Sequence, residues 1–292
     1  MQGIEVEKMR RRWASNEVSW PDGWLAQVQA LAQRRGSAPA TVAALSRIEQ
    51  GTVEKPTTNS RGCHALTRTL PVALLGIQNG QDHWSEMARE IAALTHGDSA
   101  AHSATVCGVV LVQNCLTSIL PVTDAFSLHR PEQDSAHVRG ALETGIRALL
   151  ADERGTLGDY PARLDKAFRQ AVEGPASVDK LARLAPDRSA PSVLLGGLYV
   201  AACFPGPASI ETSLRFAAGN PAADSVACVA GALLGAAHGI DALPVDLTSR
   251  LELSWVLDTL ARDFVSELVD SPGGDEYTSA WDPNWWRRYP GG

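Results

Sequence analysis

Several side chains in the segment from Asn59 to His64 could bind a phosphate-bearing ligand. The segment reads Asn-Ser-Arg-Gly-Cys-His. A glycine allows the backbone to approach a ligand closely, and the neighbouring Ser60 and Arg61 carry donors for a diphosphate. Gly62 could equally serve only to make a tight turn. Cys63 beside His64 would suit a metal or a nucleophile, but no second cysteine or carboxylate lies near them in the sequence.

A second candidate group, Asp224 and Ser225, stands at the start of a segment rich in alanine and glycine. Asn220 is a favourable N-cap and Pro221 suits a first helical position, so we expect a helix to begin there and to stop at Gly239. Small residues let helices pack closely, which predicts a central position. An acid in a first turn is favoured by the helix dipole with or without a metal, so both roles of Asp224 stay open.

Helical spacing recurs along the chain and predicts an all-α domain. Apolar residues at Val138, Leu142, Ile146 and Leu149 fall on one helical face, as do those of Leu253–Phe264. The runs Thr105–Val112 and Ser192–Val200 are rich in β-branched residues, which favour strands locally. Because they lie within longer apolar segments among helical neighbours, we expect buried helices.

Composition narrows the functional class. The net charge of -7 argues against a general nucleic-acid or anionic-membrane binder, because phosphate contacts need clustered basic residues. Five cysteines without a CxxC pair fit a reducing compartment, with thiols acting as small core residues. The charged N-terminus has no apolar segment typical of a secretory signal, and no apolar run stands out as a membrane span. These features predict a cytoplasmic protein.

Three motifs, in order, resemble those of the ADP-ribosylglycohydrolase family. Ser225–Pro244 matches a helix of the pattern AxxAGALxGAxxG that ends near Asp-x-x-Pro. Asn59–Pro71 matches a loop of the form S-x-G-(N/C)-G-x-x-M-R-x-x-P, which lies against bound ADP-ribose in the family. Ala92–His96 is similar to the family's Thr-His motif. The resemblance covers about residues 13 to 268 and implies an all-α domain over residues 1–270.

The resemblance also implies a ligand and residues that contact it. The expected ligand is ADP-ribose or an ADP-ribosylated substrate, with no nucleic acid or membrane as partner. Arg68 falls in the loop motif, where it could pair with phosphate or with a helix terminus. The expected ligand-binding residues are Ser60, Gly62, Cys63, His64 and His96.

The chain departs from the family at its metal-binding carboxylates. Family members hold two Mg²⁺ ions with a Gly-Asp-Thr-Asp-Thr turn and with upstream Gly-Asp-Ala and Thr-Asp-Asp motifs. The alignment assigns Asp224 and Ser225 as metal ligands, but Ala222 replaces the turn's first aspartate. Neither upstream motif occurs before Asn59. The resemblance therefore implies an incomplete dimetal site, in a degenerate member or in a chain whose recorded start is internal to a longer gene.

Three functions remain open at this stage. The chain could hydrolyse ADP-ribose conjugates, bind ADP-ribose without turnover, or serve a structural role. The last stretch, residues 271–292, is rich in Gly, Asp, Pro and Trp, and we expect it to lie against the domain or against a partner. The oligomeric state is not predicted.

Overall fold

Apolar and small-residue segments of this chain form helices that pack around a common core. The structure is a computed structural model that describes residues 24–31, 38–47, 54–77, 81–118, 131–274 and 279–289. Within these ranges it contains helices and no β-strand, which confirms the all-α class. The α-helices are α1 (Pro39–Leu45), α2 (His64–Thr69), α3 (Gln81–Ala93), α4 (Ser99–Thr117), α5 (Pro131–Leu150), α6 (Tyr160–Val172), α7 (Val178–Leu184), α8 (Ala190–Cys203), α9 (Ile210–Ala217), α10 (Ala223–His238), α11 (Val245–Thr248), α12 (Ser254–Asp270) and α13 (Trp285–Arg288). Short 3-10 helices join them at Trp24–Gln27, Gln29–Leu31, Leu70–Ile77, Pro207–Ser209 and Ile240–Ala242.

Three helices, α4, α8 and α10, form the centre and pack against one another. The apolar residues of α4 and α8 are almost all buried. Both strand-like runs lie within these two helices, so they are buried helices, as predicted. Glycines let the helices approach closely: a Cβ built on Gly197 of α8 would lie 2.4 Å from Val229 Cγ1 of α10. The small-residue segment therefore lies at the centre of the domain, as its composition indicates.

This close packing predicts a stability difference between two glycines. Gly197→Ala should lower the free energy of unfolding by about 1–3 kcal/mol, because the added methyl overlaps the stiff Cβ of Val229. Gly140→Ala, at an exposed position of α5 with open space around it, should raise that free energy by about 0.5–1 kcal/mol through helix propensity. Urea unfolding of both variants measures the contrast. Equal effects of the two substitutions would contradict the close packing of α8 on α10.

The ends of α10 differ partly from the sequence prediction. The helix begins at Ala223, with Ala222 as its N-cap, rather than at Pro221 with Asn220 as its N-cap. Asn220 is buried and forms a turn before the helix, since its Oδ1 accepts from Ala222 N (2.8 Å) and its Nδ2 donates to Ala185 O (3.0 Å). The predicted stop is confirmed, because the helix ends at His238 and Gly239 has a φ of 78°.

The two predicted apolar stripes have different outcomes. The stripe of α5 is confirmed, since its four apolar residues are all buried. The stripe of α12 is confirmed only in part: Val256 is buried and Leu253, Leu260 and Phe264 are half-buried, while Leu257 is 57% exposed. An open apolar groove of about 840 Å³ lies between α12 and the small residues of α10, so α12 does not close onto the core.

Helix α4 also has the length and composition of a membrane span, the one helix of the described ranges that does. The expectation that no apolar run stands out as a membrane span therefore does not hold for α4 by length and composition. Two thirds of the helix window, 67%, is buried by neighbouring helices, as expected for a core helix. Cys107 and Cys115 of this helix are buried core residues, whereas Cys228 on α10 is exposed, and all five cysteines are free thiols.

The described part of the C-terminal tail packs against the domain. Trp285 is buried and its ring covers Gly273, while Trp281 Nε1 donates to Asp270 O (3.0 Å). Arg288 and Tyr289 both bond to the carboxylate of Asp263 on α12. The tail thus contacts α12, although the division into a domain of residues 1–270 and a tail of residues 271–292 stays a prediction.

Candidate ligand-binding site

The loop of residues 58–63, which we call the Gly62 loop, is held in place by hydrogen bonds of its own Thr58 and Ser60 side chains. Thr58 Oγ1 donates to Thr95 O (2.7 Å) and accepts from Ser60 N (3.3 Å). Gly62 N donates to Ser60 Oγ (3.2 Å), which closes a tight turn. Ser60 is therefore a structural part of the loop, and its hydroxyl lies beside the backbone of the half-buried Gly62.

The other side of the loop is joined to the start of α8. Cys63 N donates to Arg188 O (3.0 Å), and Ala190 N donates to Arg61 O (2.9 Å). Gly62 and Ser189 form an isolated antiparallel bridge between these bonds. This pairing fixes the Gly62 loop against the residues that precede α8.

His96 lies beneath the loop and is completely buried. Its Nδ1 lies 2.7 Å from Thr95 Oγ1, and its carbonyl lies 2.5 Å from His102 Nε2. Its Nε2 has no hydrogen-bond partner among the described residues and lies 3.2 Å from the position a Cβ would take on Gly62. Burial, together with the charges of Arg68 and the other nearby histidines, lowers the pKa of His96 to about 4. The imidazole is thus neutral near pH 7 and supports the loop from behind.

Arg68 takes the helix-terminus role rather than the phosphate role. Its Nη2 donates to Ile91 O (2.8 Å) and Ala92 O (3.3 Å), which are carbonyls of the last turn of α3. Ala92 O also accepts from His96 N (3.0 Å), so the guanidinium adds a side-chain donor to the C-terminal end of α3. Burial also lowers the pKa of Arg68.

The loop meets the start of α10 through two buried side chains. Cys63 Sγ lies 3.2 Å from Ser225 Oγ, across 162 residues of sequence. The small-residue helix and the Gly62 loop are therefore in direct contact, as the resemblance requires. Since Cys63 is buried, its side chain contributes packing at this contact rather than an exposed thiol.

An exposed ion pair lies at the same end of α10. Arg188 Nη1 donates to both carboxylate oxygens of Asp224 at 2.9 Å, and Nη2 donates to Pro221 O at 3.3 Å. The hydrogen bond from Arg188 is the largest cause that lowers the pKa of Asp224. The side chains of Arg188 and Asp224 are 58% and 66% exposed, so the pair faces solvent.

All seven residues predicted for the site lie in this one region. Ser60 and Gly62 are half-buried and His64 is exposed at the start of α2, where a ligand could reach them. Cys63, His96 and Ser225 are buried behind that surface, and Asp224 is exposed beside it. Their roles toward ligand or metal stay predictions.

Comparison with known protein families identifies the family of this chain. The sequence profile described as ADP-ribosylglycohydrolase matches residues 2–274, nearly the whole chain. The chain belongs to the ADP-ribosylglycohydrolase family. Its general function is accordingly of the ADP-ribosylglycohydrolase type. No curated protein matches the sequence significantly.

The described residues of this ADP-ribosylglycohydrolase family member include no complete set of side-chain ligands for the family's pair of Mg²⁺ ions. Mg²⁺ requires several oxygen ligands in near-octahedral geometry. No group of three His, Cys, Asp or Glu side chains suitable for a metal occurs in the part of the chain that the structure describes. The carboxylate of Asp224 already bonds to a guanidinium, which repels a cation. The acids of residues 1–23 and 48–53 lie outside the described ranges.

Sequence reasoning missed Arg188 and Ser189, which contact the Gly62 loop. The sequence Asp187-Arg188-Ser189 shortly before Pro191 is typical of a helix start. In the structure, Asp187 Oδ1 accepts a hydrogen bond from Ser189 N (2.9 Å). Hydrogen bonds from Ser189 and Ser192 lower the pKa of Asp187. Nothing in the local sequence shows that this turn reaches the Gly62 loop and α10, because those contacts are tertiary.

Proposed function

We propose that this ADP-ribosylglycohydrolase family member binds ADP-ribose or ADP-ribosylated molecules at the Gly62 loop, without hydrolysis by two Mg²⁺ ions. The observation that carries the proposal is the Arg188–Asp224 pair, in which both oxygens of the carboxylate accept from one guanidinium nitrogen. A fixed cation thus stands beside the one carboxylate that matches the family's metal turn. Its charge favours an anionic ligand where the family uses metal charge.

The chain's own residues supply the contacts that such a ligand needs. Gly62 has no side chain and is half-buried, and a diphosphate would approach its backbone from the solvent side, away from His96. Arg188 and Arg61 are both exposed on the residues that pair across the loop, and guanidinium groups bind phosphate oxygens bidentately. His96 and Thr95 hold the loop from below in a neutral, hydrogen-bonded arrangement. This is a preorganised site for binding rather than one with an evident group to activate water.

Calorimetry with ADP-ribose tests the proposal. The Kd measured with excess MgCl₂ and with EDTA should agree within about twofold, since the cation at the site is an arginine. Arg188→Ala should weaken binding by about tenfold, the loss expected for one charge-assisted contact. Incubation with an ADP-ribosylated peptide and Mg²⁺ should release no ADP-ribose.

Arg215 offers a matched control. It forms an exposed ion pair with Glu211 on α9 (2.6 Å) but does not contact the Gly62 loop. Arg215→Ala should leave the affinity for ADP-ribose unchanged. Mg²⁺-dependent release of ADP-ribose from the peptide would refute the proposal and favour a hydrolase, while absence of ADP-ribose binding would favour a structural role.

A further inference from the structure

A second cavity of about 410 Å³ lies between α6, α7 and the first turns of α8. Three cationic side chains line it: Arg163 and Lys166 from α6 and Arg183 from α7. Leu184 and Leu195 provide apolar wall, and the buried Ser192 contributes a hydroxyl. A volume of this size is in the range of small-molecule sites.

The three cations of this cavity have no acidic partner among the described residues, although the chain is acidic overall. Arg169, on the same helix, pairs with Asp165 at 2.9 Å. Asp179 stands one turn before Arg183 on α7 but forms no ion pair with it. Four exposed arginines elsewhere also pair with an acid: Arg147 with Glu143, Arg188 with Asp224, Arg215 with Glu211 and Arg262 with Asp258. Arg61 and Arg250 are exposed too and form no ion pair among the described residues.

The placement of the cations gives the cavity a defined chemistry. Arg163 and Lys166 are one turn apart on one face of α6, and Arg183 approaches from a different helix. Arg163 is held over the ring of Tyr160, 5.4 Å from its centroid, which limits its freedom. Three donors from two helices around one space match a tetrahedral anion with several acceptor oxygens.

We propose that this cavity binds the phosphate group of a small phosphorylated molecule, with Arg163, Lys166 and Arg183 holding the phosphate. The apolar surface of Leu184 and Leu195 then contacts the organic part of the ligand. The site is formed by residues other than those of the Gly62 loop and goes beyond the proposed function. It is nevertheless joined to that loop, because Ser192 Oγ and Ser189 Oγ are 2.9 Å apart and Ser189 pairs with Gly62.

Calorimetry at low ionic strength with inorganic phosphate and with phenyl phosphate tests this proposal and separates its two possible ligand sources. Tighter binding of phenyl phosphate indicates an ester that uses the apolar wall, whereas equal affinities indicate free phosphate as the ligand. The double variant Arg163→Ala/Arg183→Ala should weaken binding of either probe by about tenfold for each cation removed. Absence of binding by both probes, or an unchanged affinity in the double variant, would overturn the proposal.

Two control variants assign the result to this cavity. Arg169→Ala removes a cation from the same helix that does not line the cavity, so it should leave phenyl phosphate binding unchanged. An equal loss in that variant would mean that general surface charge binds the probe, which contradicts the proposal. Gly62→Val should remove ADP-ribose binding but not phenyl phosphate binding, so the two sites can fail independently.

Discussion

Gly62→Val should lower the affinity for ADP-ribose by about 100-fold or more, the largest effect we expect at the Gly62 loop. A Cβ on this residue would lie 3.2 Å from His96 Nε2 and 3.3 Å from Ser60 Oγ, and the branched methyls of valine would come closer still. His96 is buried and cannot retreat without disturbing Thr95, so the loop must move outward. The Gly62 backbone is then displaced from the position that a diphosphate would approach. Titration calorimetry with ADP-ribose measures the loss.

Graded substitutions separate loss of the site from loss of the fold. Gly62→Ala requires its neighbours to shift by only a few tenths of an ångström, so its effect on affinity should lie between wild type and Gly62→Val. Gly197→Ala overpacks the core without touching the loop, and it should lower stability while leaving the affinity of the folded protein unchanged. If Gly62→Val binds ADP-ribose as tightly as the wild type, the ligand does not lie on this loop.

The sequence was most informative where the residue types of a segment also indicate its position in the fold. The alanine and glycine content of α10 predicted a central helix, and the glycine at 239 predicted its end. The order of three motifs indicated the family, and the Cys63–Ser225 pair shows that the motif of residues 59–71 lies against α10. Apolar periodicity also identified the buried face of α5, because that helix packs on its neighbours from Val138 to Leu149.

Other features depend on tertiary contacts that periodicity does not encode. Asp224 could equally have been a metal ligand or a first-turn acid, and its actual partner, Arg188, stands 36 residues away. The stripe of α12 looked as regular as that of α5, yet an open groove leaves Leu257 exposed. The burial of His96 beneath Gly62 likewise arises from packing between two segments whose spacing in sequence is uninformative.

His96 should make the protein lose stability as the pH falls from about 6.5 to 4. The pKa of an unfolded histidine is about 6.5, while burial beside Arg68 lowers the pKa of His96 in the folded state to about 4. Between these two pKa values, the imidazole is protonated in the unfolded chain but neutral in the folded protein. Lowering the pH therefore favours unfolding. The stabilisation is complete above pH 6.5, and the loss by pH 4 should be about 3 kcal/mol.

Urea unfolding from pH 4 to pH 7 measures this loss, with His96→Asn as the comparison. Asparagine can keep a hydrogen bond to Thr95 Oγ1 but does not titrate, so the variant should be less stable at pH 7 and should lack the histidine-dependent slope. Carboxylates that titrate in the same range contribute to both proteins and cancel in the difference between the two curves. His64→Asn, which removes an exposed imidazole and retains His96, should keep the slope. Parallel curves for wild type and His96→Asn would show that the imidazole beneath Gly62 accepts a proton as readily as a solvated one, and the loop would then have to open to water at mildly acidic pH.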